Sequence, residues 1–201
     1  MKKILMGVAA LCITLTVTAQ EYKVAKNSGK LQINLGRVTV EGHAGNEIIF
    51  SSRDNDREKD ERAEGLRAIS GSGLEDNTGL GINVSEKDGV LTVSQLKKMN
   101  SPDIKILVPK GVIVAYQHSS QYGSKVTFKN LENEIEVSAN YNSVELENIS
   151  GPATVKAVYG SVDATFSNNV KGPISIVSIY GHVDVAMPVS IKANINHIFS
   201  Q

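Results

Sequence analysis

Four short phrases recur in the second half of this sequence: Tyr122-Gly123-Ser124, Tyr141-Asn142-Ser143, Tyr159-Gly160-Ser161 and Tyr180-Gly181-His182. Each leads into an alternating stretch that begins at Val126, Val144, Val162 or Val183, so these valines lie 18, 18 and 21 residues apart. Self-similarity at a near-fixed period restricts a chain to architectures that repeat one supersecondary unit. The arm before each phrase repeats as well. Ile135-Glu136-Val137-Ser138-Ala139-Asn140-Tyr141 aligns with Ala153-Thr154-Val155-Lys156-Ala157-Val158-Tyr159 and with Ile174-Ser175-Ile176-Val177-Ser178-Ile179-Tyr180. Small or apolar residues fall at every second position, the period of a half-buried strand.

After the tyrosine the parity flips, to Val144 and Leu146, Val162 and Ala164, Val183 and Val185. A flip within a two-residue period requires a corner or a bulge. Gly123, Gly160 and Gly181 sit there, with Asn142 in the second unit, and Gly and Asn are the residues that most readily take positive φ. A left-handed corner is therefore expected, with Gly160→Val costing about 1–3 kcal/mol and Asn142→Gly nearly neutral. A second corner reads Asn130-Leu131-Glu132-Asn133, Asn148-Ile149-Ser150-Gly151 and Asn169-Val170-Lys171-Gly172, one apolar residue among turn formers. Three extra residues, Thr165-Phe166-Ser167, account for the longer spacing.

Each unit is thus two short strands and two tight corners, and it cannot bury its own apolar stripe. Stacking copies about 4.8 Å apart builds a continuous core. The expected fold is all-β, a single-stranded β-solenoid of short coils of about 18–21 residues, like a parallel β-helix. An antiparallel sandwich is the rival, but a sandwich has no reason to repeat both corners residue by residue.

The first 19 residues read as a signal peptide. Lys2 and Lys3 precede an apolar run too short to span a bilayer comfortably, and Val17-Thr18-Ala19 offers small residues for cleavage before Gln20. Cys12, preceded by Leu11 rather than by a small residue, reads as apolar filler of that signal. Cleavage leaves a chain without cysteine, hence without disulfide or thiol chemistry. It also removes two of the 21 basic residues, leaving 19 against 21 acidic ones, a net of −2. No basic excess points to nucleic acid, and the mature chain holds no transmembrane segment.

Residues 20–201 read as a single solenoid domain. Leu31-Gln32-Ile33 and Val38-Thr39-Val40 begin the repeats in degenerate form. A charged and Gly-rich insertion at 51–80 interrupts them, and its mixed charges followed by Gly, Ser and Asn mark a surface loop. Glu86-Lys87-Asp88-Gly89 forms a hairpin turn, and clear repetition resumes near Val112.

Alternating arms, Tyr-Gly-Ser corners and Asn-apolar-x-Gly corners together resemble the adhesin-type β-repeat family of exported bacterial proteins, many of whose members have no assigned function. The resemblance is firmest from Val112 to Met187. Arg62-Ala63-Glu64-Gly65-Leu66-Arg67 and Asp76-Asn77-Thr78-Gly79-Leu80-Gly81 also look like phrases found in some members. It implies a β-solenoid outside the cytoplasm, periplasmic or on the cell surface, in adhesion or surface binding. Family members usually continue past the last Tyr-Gly unit with a further strand and corner. Here Pro188-Val189-Ser190-Ile191-Lys192-Ala193-Asn194-Ile195 starts one, and Ile198 and Phe199 could fold over the open core. An open edge beside Val183 and Val185 is expected to support self-association or to accept a partner strand.

Two columns are candidate sites. Glu145, Asp163 and Asp184 take the outward position after the corner valine and would stack about 4.8 Å apart. Like charges that close favour a cation between them, so a calcium site is one reading and a solvated outer face the other. The corner tyrosines form the second column. Strict alternation places Tyr141, Tyr159 and Tyr180 inward, filling the wide end of the core, with Val158 and Ile179 outward beside them; an aromatic platform for sugars is the alternative. His43, His118, His182 and His197 are dispersed, and neither a nucleophile elbow nor a phosphate loop appears. The expected function is a binding or surface-interaction module without catalysis or an obligatory cofactor, its partner a cell-surface glycan or an envelope protein. The alternatives are a carbohydrate-active enzyme on a β-helix scaffold, using the acidic column, and an envelope regulatory or sensing component.

Overall fold

The computed structural model describes residues 20–53 and 66–198. The proposed signal peptide with Cys12, most of the charged run, and Phe199 lie outside these residues. The strands in chain order are β1 (Glu21–Val24), β2 (Gly29–Asn34), β3 (Val38–His43), β4 (Ile48–Ser52), β5 (Ile82–Lys87), β6 (Val90–Gln95), β7 (Ile104–Pro109) and β8 (Val112–His118). There follow β9 (Val126–Lys129), β10 (Ile135–Ala139), β11 (Val144–Ile149), β12 (Ala153–Ala157), β13 (Val162–Phe166), β14 (Ile174–Ser178) and β15 (Val183–Ala186). Among the described residues no helix is long and apolar enough to cross a membrane.

The strands form two mostly parallel sheets, in the orders β1-β4-β7-β3-β9-β11-β13-β15 and β14-β12-β10-β8-β2-β6-β5. The register follows the sequence repeat: Val144 pairs with Val126 on one side and Val162 on the other, and Val162 with Val183. The same column runs on through Val38 to Ile104. Arms pair likewise, Ile135 with Ala153 and Ala153 with Ile174. Parallel pairing in this register is what a stack of coils requires, and it excludes the antiparallel sandwich.

The stacking order differs from the chain order. The pair β6–β7 sits on the far side of β2–β3, and β8–β9 returns to the near side, so the first coil is held between the second and the third. Antiparallel strands close this end. β5 pairs with β6 through the turn at Asp88 (φ 51°) and Gly89 (φ 78°), and β4 and β1 extend the other sheet beyond β7. Residues 66–80 contain a local bridge between Ile69 and Glu75. Asp76 accepts bonds from the backbone N–H groups of Thr78, Gly79 and Gly81, and Leu80 enters the core.

Two details of the repeat are corrected. Phe166, assigned to an insertion, pairs with Ile149 across a register shift and is buried in its place. The extra residues lie beyond it, between Phe166 and Ile174. Positive φ belongs to the second corner rather than the tyrosine corner: Asn130 and Asn148 both have φ 52°, whereas Gly123, Asn142, Gly160 and Gly181 have none.

Burial weakens towards β14 and β15. Val144 and Val162 are fully buried, each worth about 1.5–3 kcal/mol relative to exposure, whereas the equivalent Val183 is 43% exposed. Ile198 is 80% exposed, so it does not fold over this end.

Ion pairs join the second corners. Lys110 Nζ and Lys171 Nζ donate to Glu132 Oε1 and Oε2 at 2.6 and 2.7 Å. These bonds, that from Lys110 first, hold the Glu132 carboxyl down at about 2 from an ordinary 4.5. A carboxyl depressed in the folded state contributes stability above its unfolded pKa and loses it as pH falls towards the folded value. The Glu132→Gln variant is therefore expected to lose less melting temperature than the wild type between pH 5 and pH 2. Equal losses would show that these exposed pairs contribute nothing measurable.

Candidate functional site

The tyrosine corner is where structure and expectation part most. Arms β10, β12 and β14 end at Ala139, Ala157 and Ser178, two residues before the tyrosine. Beyond the strand end the two-residue alternation no longer fixes direction. Tyr141, Tyr159 and Tyr180 point outward, and the next residue turns in: Asn142 is fully buried and Gly160 is buried. The inward column is thus the Asn/Gly position rather than the tyrosine.

The coil rise sets the tyrosine spacing. Backbone bonds Tyr159 N to Asn140 O (2.7 Å) and Tyr180 N to Val158 O (2.8 Å) hold consecutive corners in register. Tyr141 and Tyr159 then stack with centroids 5.0 Å apart and planes at 14°, and Tyr159 and Tyr180 at 5.0 Å and 8°. Tyr180 is 71% exposed and Tyr159 56%. Three near-parallel rings form a ridge whose inner faces cover one another. What it offers to a ligand is a row of edges and hydroxyl groups, plus the outer face of Tyr180. No ligand ring can slip between rings this close.

The ridge continues towards Tyr122, also exposed, which borders a recess of about 210 Å³ with Arg37, Met99 and Ser124. Arg37 Nε donates to Ser124 Oγ at 3.3 Å. Beside the ridge Ile179 is exposed and Val158 half-buried, so the apolar column is present on the outside.

Beneath the ridge Asn142 ties three segments together. Its Nδ2 donates to Ser124 O at 2.6 Å and Gly36 O at 2.9 Å, and its Oδ1 lies 2.7 Å from His118 Nδ1. With Oδ1 as acceptor, His118 carries its proton on Nδ1. Gly123 makes room for this amide, since a Cβ there would lie 2.5 Å from it. The neighbouring glycines are demanded by close approach of coils: a Cβ on Gly160 would lie 2.0 Å from Asn142 O, and one on Gly181 2.4 Å from Gly160 O.

The acidic column is also brought together. Glu145 pairs with Asp163 and Asp163 with Asp184 along β11, β13 and β15, with Thr127 next in line on β9. Nitrogen-bearing side chains meet two of the three carboxylates. Lys125 Nζ lies 2.7 Å from Glu145 Oε1, and His182 Nε2 3.1 Å from Asp163 Oδ1. The hydrogen bond from Lys125 holds the Glu145 carboxyl below its ordinary value. A general acid needs the opposite shift. The recess over this column holds about 120 Å³, below the several hundred that enclose a small molecule. Among the described residues no three His, Cys, Asp or Glu side chains are arranged to hold a metal ion. A wider recess of about 370 Å³ crosses the outer face of the other sheet near Gln32, Gln117 and Glu136, with Lys30 paired to Glu136 at its edge.

Sequence reasoning ranked an outward aromatic platform behind inward tyrosines and missed the buried Asn142. A signal for the second was present: Asn replaces Gly in one unit only, beside the unit whose arm ends in His118.

No family model and no curated protein matches the sequence. Among solved structures, a putative cell adhesion protein from Clostridium sporogenes aligns over 85% of this chain and 100% of its own, at 13% identity and a TM-score of 0.46. A putative adhesin from Bacteroides fragilis aligns over 85% and 98%, at 14% identity and a TM-score of 0.27. The structural neighbours are thus bacterial proteins described as putative adhesins or cell adhesion proteins.

Proposed function

We propose that this protein is an exported binding module of the adhesin kind, without catalysis, which holds a cell-surface glycan along its tyrosine ridge. The observation that carries this reading is the exposed stack of Tyr141, Tyr159 and Tyr180. A monosaccharide presents a C–H face to an aromatic face and hydroxyls to hydroxyls, and exposed tyrosines supply both. The row of phenol hydroxyls suits a linear chain laid across the coils, and Arg37 beside Tyr122 suits a carboxylate or sulfate on that chain. Coils stacked in register give such a surface rigidity, so little ordering cost opposes binding. Export through the leader at residues 1–19 places the module in the periplasm or on the cell surface, where glycans are met.

A glycan array probed with the chain from Gln20 onward tests the reading. Selective retention of one glycan class is expected, reduced at least tenfold in Tyr159→Ala/Tyr180→Ala. That variant should keep most of its stability, since stacking of exposed rings contributes only about 0.5–1.5 kcal/mol per pair. A blank array, with binding instead to an envelope protein, would replace the glycan as ligand. Equal binding by wild type and variant would remove the ridge.

A further inference from the structure

The arm pattern occurs once more than the strands do. Val189-Ser190-Ile191-Lys192-Ala193-Asn194-Ile195 matches Ala153-Thr154-Val155-Lys156-Ala157-Val158-Tyr159 position by position, apolar or small at every second residue. It is a strand by pattern, yet no strand forms there. Pro188 O instead accepts a bond from Ile191 N at 3.1 Å, and Val189 and Ile195 are exposed.

The link that leads to this arm differs from its counterparts. Val126 to Ile135 and Val144 to Ala153 each take nine residues, and Val162 to Ile174 takes twelve. Val183 to Val189 takes six. The missing residues are those of the second corner: after β15 only Met187 and Pro188 remain where Asn130-Leu131-Glu132-Asn133 stood earlier. The chain therefore cannot complete the turn that would lay this arm on its own β14. A short hinge that prevents closure at home is the condition under which an identical element closes on a second copy.

Among the described residues the acceptor edge is open and unguarded. β14 is the last strand of its sheet and carries no charge and no proline; Val177 and Ile179 beside it are exposed, and Ile174 and Ile176 are half-buried. Edges left free normally carry charges or proline. The edge strands at the opposite end follow that rule, β1 with Glu21 and Lys23 and β5 with Glu86 and Lys87.

We propose that two copies exchange the segment 189–195, each laying it on the other's β14 in the register of the repeats, Val189 beside Ile174 and Ile191 beside Ile176. Lys192 then lies beside Val177, as Lys156 does on the other side. The contact is isologous, so it closes at a dimer and does not propagate. The partner is a second copy of this chain, and the tyrosine ridges of the two copies come onto one particle, which raises avidity for a repeating ligand.

Sedimentation velocity over a concentration series on the chain from Gln20 onward tests the exchange. A dimer is expected. Inserting Gly-Ser-Gly between Met187 and Pro188 restores the nine-residue link, and is expected to convert the dimer to a folded monomer with an unchanged circular dichroism spectrum. Val177→Cys/Lys192→Cys, in a chain otherwise free of cysteine after residue 19, reads the same point covalently. Oxidation should link two chains in the parent, and close within one chain after the insertion. A monomeric wild type at every concentration, an insertion variant that remains dimeric, or a cysteine pair that closes within one chain in the parent would each overturn the proposal.

Discussion

Replacing Gly160 by valine is expected to cost about 3 kcal/mol or more, and replacing it by alanine nearly as much. The obstacle is the Cβ itself, which would lie 2.0 Å from Asn142 O and 2.6 Å from its carbonyl carbon. Both belong to the backbone of the neighbouring coil, which is held by the bonds from Tyr159 N to Asn140 O and Val144 N to Ser161 O. Nothing flexible can give way; the two coils must part locally. A corner that needed glycine only for positive φ would tolerate alanine at about 1–2 kcal/mol and penalise valine more. Urea unfolding of the two variants separates these cases. Similar large losses support close approach of coils, and a mild alanine effect would contradict it.

Asn142→Gly is expected to lower stability by about 3 kcal/mol, although the two residues occupy equivalent corners. Deleting this amide leaves the carbonyl of Ser124 and the Nδ1–H of His118 without the bonds they make at 2.6 and 2.7 Å, while the carbonyl of Gly36 loses one donor at 2.9 Å and keeps the bond from Ser124 N. Each buried group stripped of its partner costs about 1–3 kcal/mol, with water entering the vacated space offsetting part of it. Asn142→Asp should also fail, because it keeps the acceptor for His118 but brings a carboxylate against two carbonyl oxygens. A change below about 0.5 kcal/mol in Asn142→Gly would mean that the amide is a passive filler.

These two residues show which parts of the molecule were legible from sequence. The period of the valines fixed the register, and Val126, Val144, Val162 and Val183 indeed pair in one row. Carboxylates spaced by that period were bound to share a column. The tyrosines were misdirected because alternation was carried past the strand ends at Ala139, Ala157 and Ser178, where it no longer constrains the chain. Glycine at the corner was read through its backbone freedom; the real demand came from the next coil, which a single unit of sequence does not display. The placement of β6–β7 beyond β2–β3 was equally hidden, since the degenerate coils share alternation but no corner phrase that would order them.

Nitration of tyrosines by tetranitromethane, mapped by peptide mass analysis and followed by the glycan array, tests the ridge most directly. The account predicts early nitration of Tyr180, Tyr159, Tyr141 and Tyr122, all exposed, while Tyr116 is spared. Tyr116 is 2% exposed and its hydroxyl donates to Leu35 O at 2.8 Å; burial also pushes this phenol well above its ordinary pKa, which withholds the phenolate that the reagent attacks. The nitrated protein should keep its circular dichroism spectrum and lose its array signal. Corner tyrosines that resist nitration in the folded protein, or an array signal unchanged after they are nitrated, would contradict the account.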